Sequence, residues 1–474
     1  MKTVLVWLGL TVSFVCGIIF LLNHGIQQFG AFAAHGSTSP EAAPFAALVL
    51  SIHQPVAQLL LQLVLIVVVA RLFGRLFEKF GQPPVVGEML AGITLGPSLI
   101  GSLAPSFSTF VFPKASMGNL QMLSQVGIIL FMFVVGMELD ANLLKQKAKS
   151  AILISQVSIA FPYFLGVALA LVLYRGYAPA QTSFISFALF LGISMSITAF
   201  PVLARIIKEK GLTGSYLGTT AISCAAVDDV TAWCILAFIV ALAKAQSMTG
   251  SIISMCLSLT FVALMFLIVR PVLEKISSKA QIIGEPGKGL TVVCLLTLFA
   301  SALWTESTGI HAIFGGFLAG IVMPKDPVIR GFLRDRIEYF STLILVPIFF
   351  AFTGLRTQVG LVSDMQSVGV LFAIIGVAVA GKFGGSMFAA RLSGMSWRES
   401  TAIGALMNAR GLIELIALNI GLDLGILSPK IFTMLVLMAL VTTFATGPVI
   451  EWLGYGLQKN AQAVPGSELE GQGI

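Results

Sequence analysis

Fourteen apolar segments separated by short loops leave this 474-residue chain one class of fold. They run roughly 4–22, 55–71, 85–101, 119–138, 151–174, 183–207, 216–243, 250–269, 289–304, 309–323, 339–356, 366–390, 400–424 and 431–453. Segments of this length and character span a bilayer as helices, where every backbone N–H and C=O must find its partner inside the protein. Composition agrees: 57% of residues are hydrophobic and 10% charged, against about 25% charged in a soluble domain. The chain reads as an all-α polytopic membrane protein, with about 13 core transmembrane helices plus one extra N-terminal helix. Little is left for a soluble domain, and the net charge of +7 is not a nucleic-acid signal, because the basic residues sit in the loops.

Those loops set the topology. One alternate set holds Arg71, Arg75 and Lys79; Lys145, Lys147 and Lys149; Arg205, Lys208 and Lys210; Arg270, Lys275, Lys279 and Lys288; Lys325, Arg330, Arg334 and Arg336; and Arg391 and Arg398. With Lys2 and Lys459 this side carries 21 of the 28 lysines and arginines. The other side carries five, and the remaining two, Lys382 and Arg410, fall inside apolar segments. The positive-inside bias puts both termini in the cytoplasm if the first helix is retained. Retention is the preferred reading, and cleavage as a signal peptide near Ala31-Phe32-Ala33 is the alternative. Residues 1–54 are then an N-terminal helix and an extracytoplasmic linker, 55–457 the membrane domain, and 458–474 a short disordered cytoplasmic tail.

The costliest residues in the chain are Asp228 and Asp229, adjacent in the stretch AAVDDVTAW at the middle of segment 7. A carboxylate at the bilayer centre costs roughly 2.5–3.5 kcal/mol on insertion scales. Two in succession point to function rather than to a helix end. Lys382 lies in segment 12, with Arg391 already marking the cytoplasmic end, so it is read as the partner of an aspartate rather than a snorkelling residue. Successive helical residues point about 100° apart, so one aspartate can face Lys382 while the other faces a cavity.

Apart from the first segment, the remaining thirteen divide as six, one linker (250–269) and six. The two sets start on opposite sides, as an inverted-topology repeat requires. Segments 6 and 13 then correspond, and both are interrupted. Segment 6 carries Thr198 and Pro201, and segment 13 carries Asn408, Arg410, Gly411 and Glu414. Backbone that is not helical at membrane depth is tolerated only inside protein or beside a cavity. A simple kink at Pro201 and an i,i+4 ion pair between Arg410 and Glu414 are the structural alternatives.

A buried carboxylate pair with a nearby lysine can hold a proton or a small hard cation, which prefers oxygen ligands. Asp229 or Asp228, the Thr198 hydroxyl, backbone carbonyls near Pro201 and the Asn408 amide could supply them. Mutual exclusion of proton and cation at one carboxylate is antiport, so the residues suggest a pH-dependent exchanger. No metal site or cofactor motif is visible. The five cysteines (Cys16, Cys224, Cys234, Cys256 and Cys294) have no disulfide spacing and read as small core residues.

At these residues the chain resembles the monovalent cation:proton antiporter-2 family, the Kef and plant cation/proton-exchanger type with the NhaA-like fold. The resemblance runs from about His53 to Leu457. It rests on QPPVVGEMLAGITLGPSLIG (Gln82–Gly101), LFMFVVGMELD (Leu130–Asp140), SITAFPVLARI (Ser196–Ile206), AAVDDV (Ala225–Val230), GIHAIFGGFLAGIVMP (Gly309–Pro324), PIFFAFTGLRT (Pro347–Thr357) and NARGLIELIALNIG (Asn408–Gly421). It implies a secondary sodium or potassium/proton antiporter, not an enzyme, with two crossing unwound helices at Thr198–Pro201 and Asn408–Gly411. It implies that Asp229 binds the transported cation and proton, and that Asp228 pairs with Lys382. A core of about 151–243 and 366–453 would move in elevator fashion against a dimerising scaffold of about 55–138 and 289–356. A homodimer in a bacterial inner (cell) membrane, exchanging Na⁺ or K⁺ for protons, is the implied setting. Unlike glutathione-gated Kef systems, the chain has Asp-Asp rather than Gln-Asp and no nucleotide-binding domain.

The alternatives are a Kef-like potassium efflux system, an intramembrane aspartyl protease and an organic-anion symporter on the same fold. The absence of a TVGYG-type filter argues against a potassium channel. Adjacent aspartates on one helix argue against the protease, and the acidic pair with lysine against the symporter. Glu88 and Glu138 are read as structural or funnel-lining, and His311 as an interfacial residue.

Overall fold

The computed structural model describes residues 54–138, 148–244, 248–282, 288–309, 311–324 and 326–455. The expected first helix, its linker, Cys16 and the tail at 458–474 lie outside these. Among the described residues every regular element is a helix and none is a strand. Among the described residues eleven helices are long and apolar enough to cross a membrane, and a twelfth span arises if the bent pair Trp397–Met407 and Leu412–Asp423 is counted as one. Ala312–Val322 is a shorter apolar helix. The chain is an all-helical integral membrane protein.

Local chemistry sets the helix starts. Pro55, Pro84, Pro105 and Pro429 each open a helix, at the position where a missing N–H costs nothing. Ser183, Ser428 and Asp364 cap the helices that follow them, and Ser396 and Glu399 form a capping box. Hydrogen bonds from Ser367, then Lys430 at 3.1 Å, hold the Asp364 carboxyl below the usual carboxylate range. Large apolar side chains such as Leu60, Val64, Leu259, Leu267 and Phe372 point outward, as a lipid-facing surface requires.

The cysteines depart from the expectation of a uniform core role. Cys224 and Cys294 are buried, but Cys234 and Cys256 lie on the outer surface. In a bilayer a small apolar thiol is as acceptable on the outside of a helix as inside, so apolar context alone does not separate the two.

The fold comprises two compact units. The first gathers the described parts of Met1–Phe73 with Gly87–Ile128 and Phe340–Gly360. In it the Gln62 amide donates to the Val111 carbonyl and the Ser116 hydroxyl, and Gln58 donates to the Phe110 and Val111 carbonyls. These bonds satisfy backbone groups where the short Pro105–Val111 helix ends.

The second unit holds Gly74–Val86, Ile129–Tyr339 and Leu361–Ile474 as far as described. Its helices include α1 (Ala148–Tyr177), α2 (Phe184–Ser196), α3 (Phe200–Glu209), α4 (Tyr216–Lys244), α5 (Ala312–Val322), α6 (Met365–Val379), α7 (Trp397–Met407), α8 (Leu412–Asp423) and α9 (Pro429–Trp452). Val202, Leu203 and Ile206 of α3, Ala225 of α4, and Ile403 and Leu406 of α7 share one buried core. On α5, a Cβ at Gly320 would lie 2.1 Å from the Phe133 carbonyl oxygen. Only glycine allows backbones that close. Glu138 is paired with Arg334 at 3.2 Å; Glu88, of the first unit, is buried. His311 caps α5, and its buried Nδ1 has no partner.

Candidate ion-binding site

Two interrupted helices meet in the second unit. α2 ends at Ser196, Ile197 and Ala199 are extended, and α3 starts at Phe200. Pro201 sits in the first turn of α3, where it interrupts no hydrogen bond. The simple kink is therefore not what the structure shows. α7 and α8 are separated at Asn408–Gly411 and bent by 42°. The Ala199 N–H donates to the Ala409 carbonyl at 3.1 Å, so one break supplies a partner to the other. A Cβ on Gly411 would come within 2.7 Å of Val202 and 3.3 Å of Ala199, so glycine is what lets the breaks touch. Thr443 of α9 accepts from the Arg410 N–H at 2.9 Å and donates to the Arg410 carbonyl at 2.8 Å. One threonine hydroxyl thus replaces two lost helical bonds.

Asp228 and Lys382 form the centre, both wholly buried, with Nζ 2.8 Å from Asp228 Oδ2. Ser155 donates to Asp228 Oδ1, while Ser158 and Thr198 donate to Oδ2 at 2.9 Å each. Lys382 donates further to the Ser158 carbonyl at 3.0 Å and the Ser196 carbonyl at 2.5 Å. An ammonium has three protons, and each finds an acceptor. Lys382 lies in a π-helical turn, Ala380–Gly384, that follows α6. Such one-turn irregularities often occur at functional positions.

Arg410 is also wholly buried. It donates to Glu414 at 3.3 Å, to the Ser194 carbonyl at 2.9 Å and to the Met195 carbonyl at 2.8 Å. The last carbonyls of α2 are therefore held by two cations, Arg410 on residues 194 and 195 and Lys382 on residue 196. That end of a helix carries partial negative charge, so both cations are favourably placed.

Asp229, next along α4, has other surroundings. It is 2% exposed, hydrogen-bonds the backbone of Phe200, and keeps Oδ1 without a partner. The Asn408 side-chain oxygen is likewise buried and unpartnered. Buried acceptors without donors are rare and costly. Oxygens of this kind are the ligands that a small dehydrated cation takes. No cluster of three or more His, Cys, Asp or Glu that could hold a metal occurs among the described residues.

Every candidate site residue read from the sequence thus has a place. Thr198, Asp228 and Lys382 are in direct contact, and Arg410 pairs with Glu414. Pro201 and Gly411 shape the breaks, and Asp229 and Asn408 contribute unpartnered oxygens. The sequence reading missed Ser155, Ser158 and Thr443. Ser155 and Ser158 lie three residues apart on α1, a spacing that puts two hydroxyls on one face, and that was the available signal.

Residues 64–455 match the model of a family described as "Sodium/hydrogen exchanger, transmembrane". The chain belongs to that sodium/hydrogen exchanger family. It is 44% identical over 376 residues to "Na(+)/H(+) antiporter NhaS4" of Synechocystis sp., covering 79% of this chain and 92% of that one. It is 34% identical over 383 residues to "K(+)/H(+) antiporter 1" of Saccharomyces cerevisiae and 38% over 371 residues to "Cation/H(+) antiporter 19" of Arabidopsis thaliana. The matches cover 79% and 78% of this chain but only 44% and 46% of those longer relatives. The solved sodium proton antiporter MjNhaP1 of Methanocaldococcus jannaschii is similar in fold, with a TM-score of 0.62 at 16% identity, covering 84% of this chain and 98% of that one. The exchanger family consists of transporters, and this chain is a cation/proton antiporter, not an enzyme.

Proposed function

We propose that the transported monovalent cation and the proton compete for Asp229, with Na⁺ the first candidate and K⁺ the second. The difference between the two aspartates carries this reading. Asp228 is charge-balanced by Lys382 and takes hydrogen bonds from three hydroxyls, so its charge and most of its acceptor capacity are already used. Asp229 retains a buried oxygen without a donor. Asn408 supplies a second oxygen, and the Thr198 hydroxyl keeps lone pairs while donating its proton. The names of the relatives support both cations: the cyanobacterial antiporter at 44% identity is named for Na⁺ and the yeast one at 34% for K⁺.

In this reading the two breaks belong to inverted repeats. Residues of about 151–243 and 366–453 move in elevator fashion against a dimerising scaffold of about 55–138 and 289–356. Both termini lie in the cytoplasm of a bacterial cell, as the loop charges favour. The test is proton movement in liposomes holding the purified protein. Addition of Na⁺, K⁺ or Li⁺ across a pH gradient is expected to dissipate it, and the active cation names the substrate. Asp229→Asn is expected to abolish the response. Cation-driven flux that persists in folded Asp229→Asn protein would overturn the assignment.

A further inference from the structure

The site has a wall that the exchange chemistry does not use. Trp233 follows Asp229 by four residues on α4, so both lie on one helical face. Helical side chains lean toward the N-terminus, the direction in which Asp229 lies from Trp233. Trp233 is 2% exposed, the bulkiest fully enclosed side chain among the described residues, ahead of Arg410 and Phe133. Its ring meets Phe314 edge-on at 5.1 Å and Phe317 at 5.9 Å. Both phenylalanines belong to α5, which supplies none of the hydrogen bonds at Asp228, Lys382 or Arg410.

The neighbours give this layer a direction. The far end of α4 is charged: Lys244 faces Glu306 at 3.8 Å, and Glu306 accepts from the Ala312 N–H at the start of α5. Trp233 is eleven residues before Lys244, about 16 Å along the helix. Trp233, with two phenylalanine rings packed on it, thus lies on α4 between Asp229 and the charged end of the helix. An apolar constriction of this kind stops ions by excluding water. The Trp233 Nε1–H is buried with no acceptor. The docked position therefore leaves a polar group unsatisfied, a cost that release from α5 would relieve.

We propose that Trp233, docked on Phe314 and Phe317, is the seal that shuts Asp229 off from the Lys244 end of α4, and that its release from α5 opens the site on that side. This rests on Asp229 being the exchange site. Trp233 is a positioning residue here: it holds water and ions away from the carboxylate and binds neither.

Two measurements test it. In protein whose other tryptophans, Trp7, Trp304, Trp397 and Trp452, are replaced by phenylalanine, Trp233 is the sole tryptophan, and excitation to the red of tyrosine absorption isolates its emission. Acrylamide quenching of that signal is expected to rise several-fold between low pH without cation and high pH with saturating Na⁺ or K⁺. In liposomes, Trp233→Ala is expected to dissipate a pH gradient several-fold faster than the parent without any added cation. Trp233→Phe, which keeps a ring, should stay tight, and Asp229→Asn should remove the leak of Trp233→Ala. A Trp233 whose quenching is the same in every condition, or a folded Trp233→Ala variant as tight as the parent, overturns the seal. Parent protein with no cation-driven proton flux would instead overturn the assignment of Asp229, and the seal with it. Flux in the parent with an immobile Trp233 overturns the seal alone.

Discussion

Four donors converge on Asp228, and each offsets part of the cost of holding a carboxylate away from water. Lys382 supplies charge, and Ser155, Ser158 and Thr198 supply neutral hydrogen bonds. Removing one partner of a buried ion pair costs about 3–5 kcal/mol, because the other charge is left without compensation. Lys382→Ala is therefore expected to lower thermal stability in detergent strongly. Asp228→Asn combined with Lys382→Gln is expected to recover much of it, since no unpaired charge remains. If the double variant were no more stable than Lys382→Ala, the pairing would not be what holds this region. The sequence made the pair legible because two acids and one lysine in apolar segments have few solutions. It did not show which aspartate takes the lysine; that came from the family resemblance. The reason lies in three hydroxyls, and serine in a membrane helix is too common to stand out.

At the scale of elements, a broken helix must satisfy the carbonyls and N–H groups it frees. The break at Asn408–Gly411 was legible from asparagine, arginine and glycine in an apolar run. Its partner on α9 was not, because Thr443 looks like any threonine bonded within its own helix. Thr443→Val keeps the shape but removes both bonds to Arg410. Leaving buried backbone groups unsatisfied costs about 1–3 kcal/mol each. Thr443→Val is expected to lower the unfolding temperature clearly, and Thr443→Ser, which keeps the hydroxyl, to lower it little. Equal losses in the two variants would show that the methyl packing matters and the hydroxyl does not. The π-helical turn at Lys382 had no sequence signal beyond the glycines Gly381, Gly384 and Gly385 around it. Glycine marks a close approach without naming its partner, here Pro162, 2.8 Å from where a Gly381 Cβ would be.

For the whole molecule, the alternation of loop charge carries more than any single motif. It predicts that Lys208 faces the cytoplasm and Lys430 the outside. In a cysteine-free background, a membrane-impermeant maleimide added to intact cells is expected to label Lys430→Cys and to miss Lys208→Cys. The reverse pattern would invert the topology and with it the direction in which the Trp233 seal faces. The all-helical architecture was legible because a bilayer permits so few alternatives to apolar segments of this length. The helix lengths were less so: segment 10 yields only the short helix α5, because hydropathy reports where a chain is apolar and not where its capping geometry begins.

Arg410 and Lys382 hold the final carbonyls of α2, yet they come from parts of the chain about two hundred residues downstream. These are rivets between two distant stretches of the sequence, not hinges. Any displacement of Asp229's surroundings must carry α2, the π turn and the α7–α8 break along together, or else strip buried cations of their partners. Under the exchange proposed at Asp229, the hydrogen bonds that surround the site also tie its carrier into one stiff body, and whatever bends during a transport cycle must bend elsewhere.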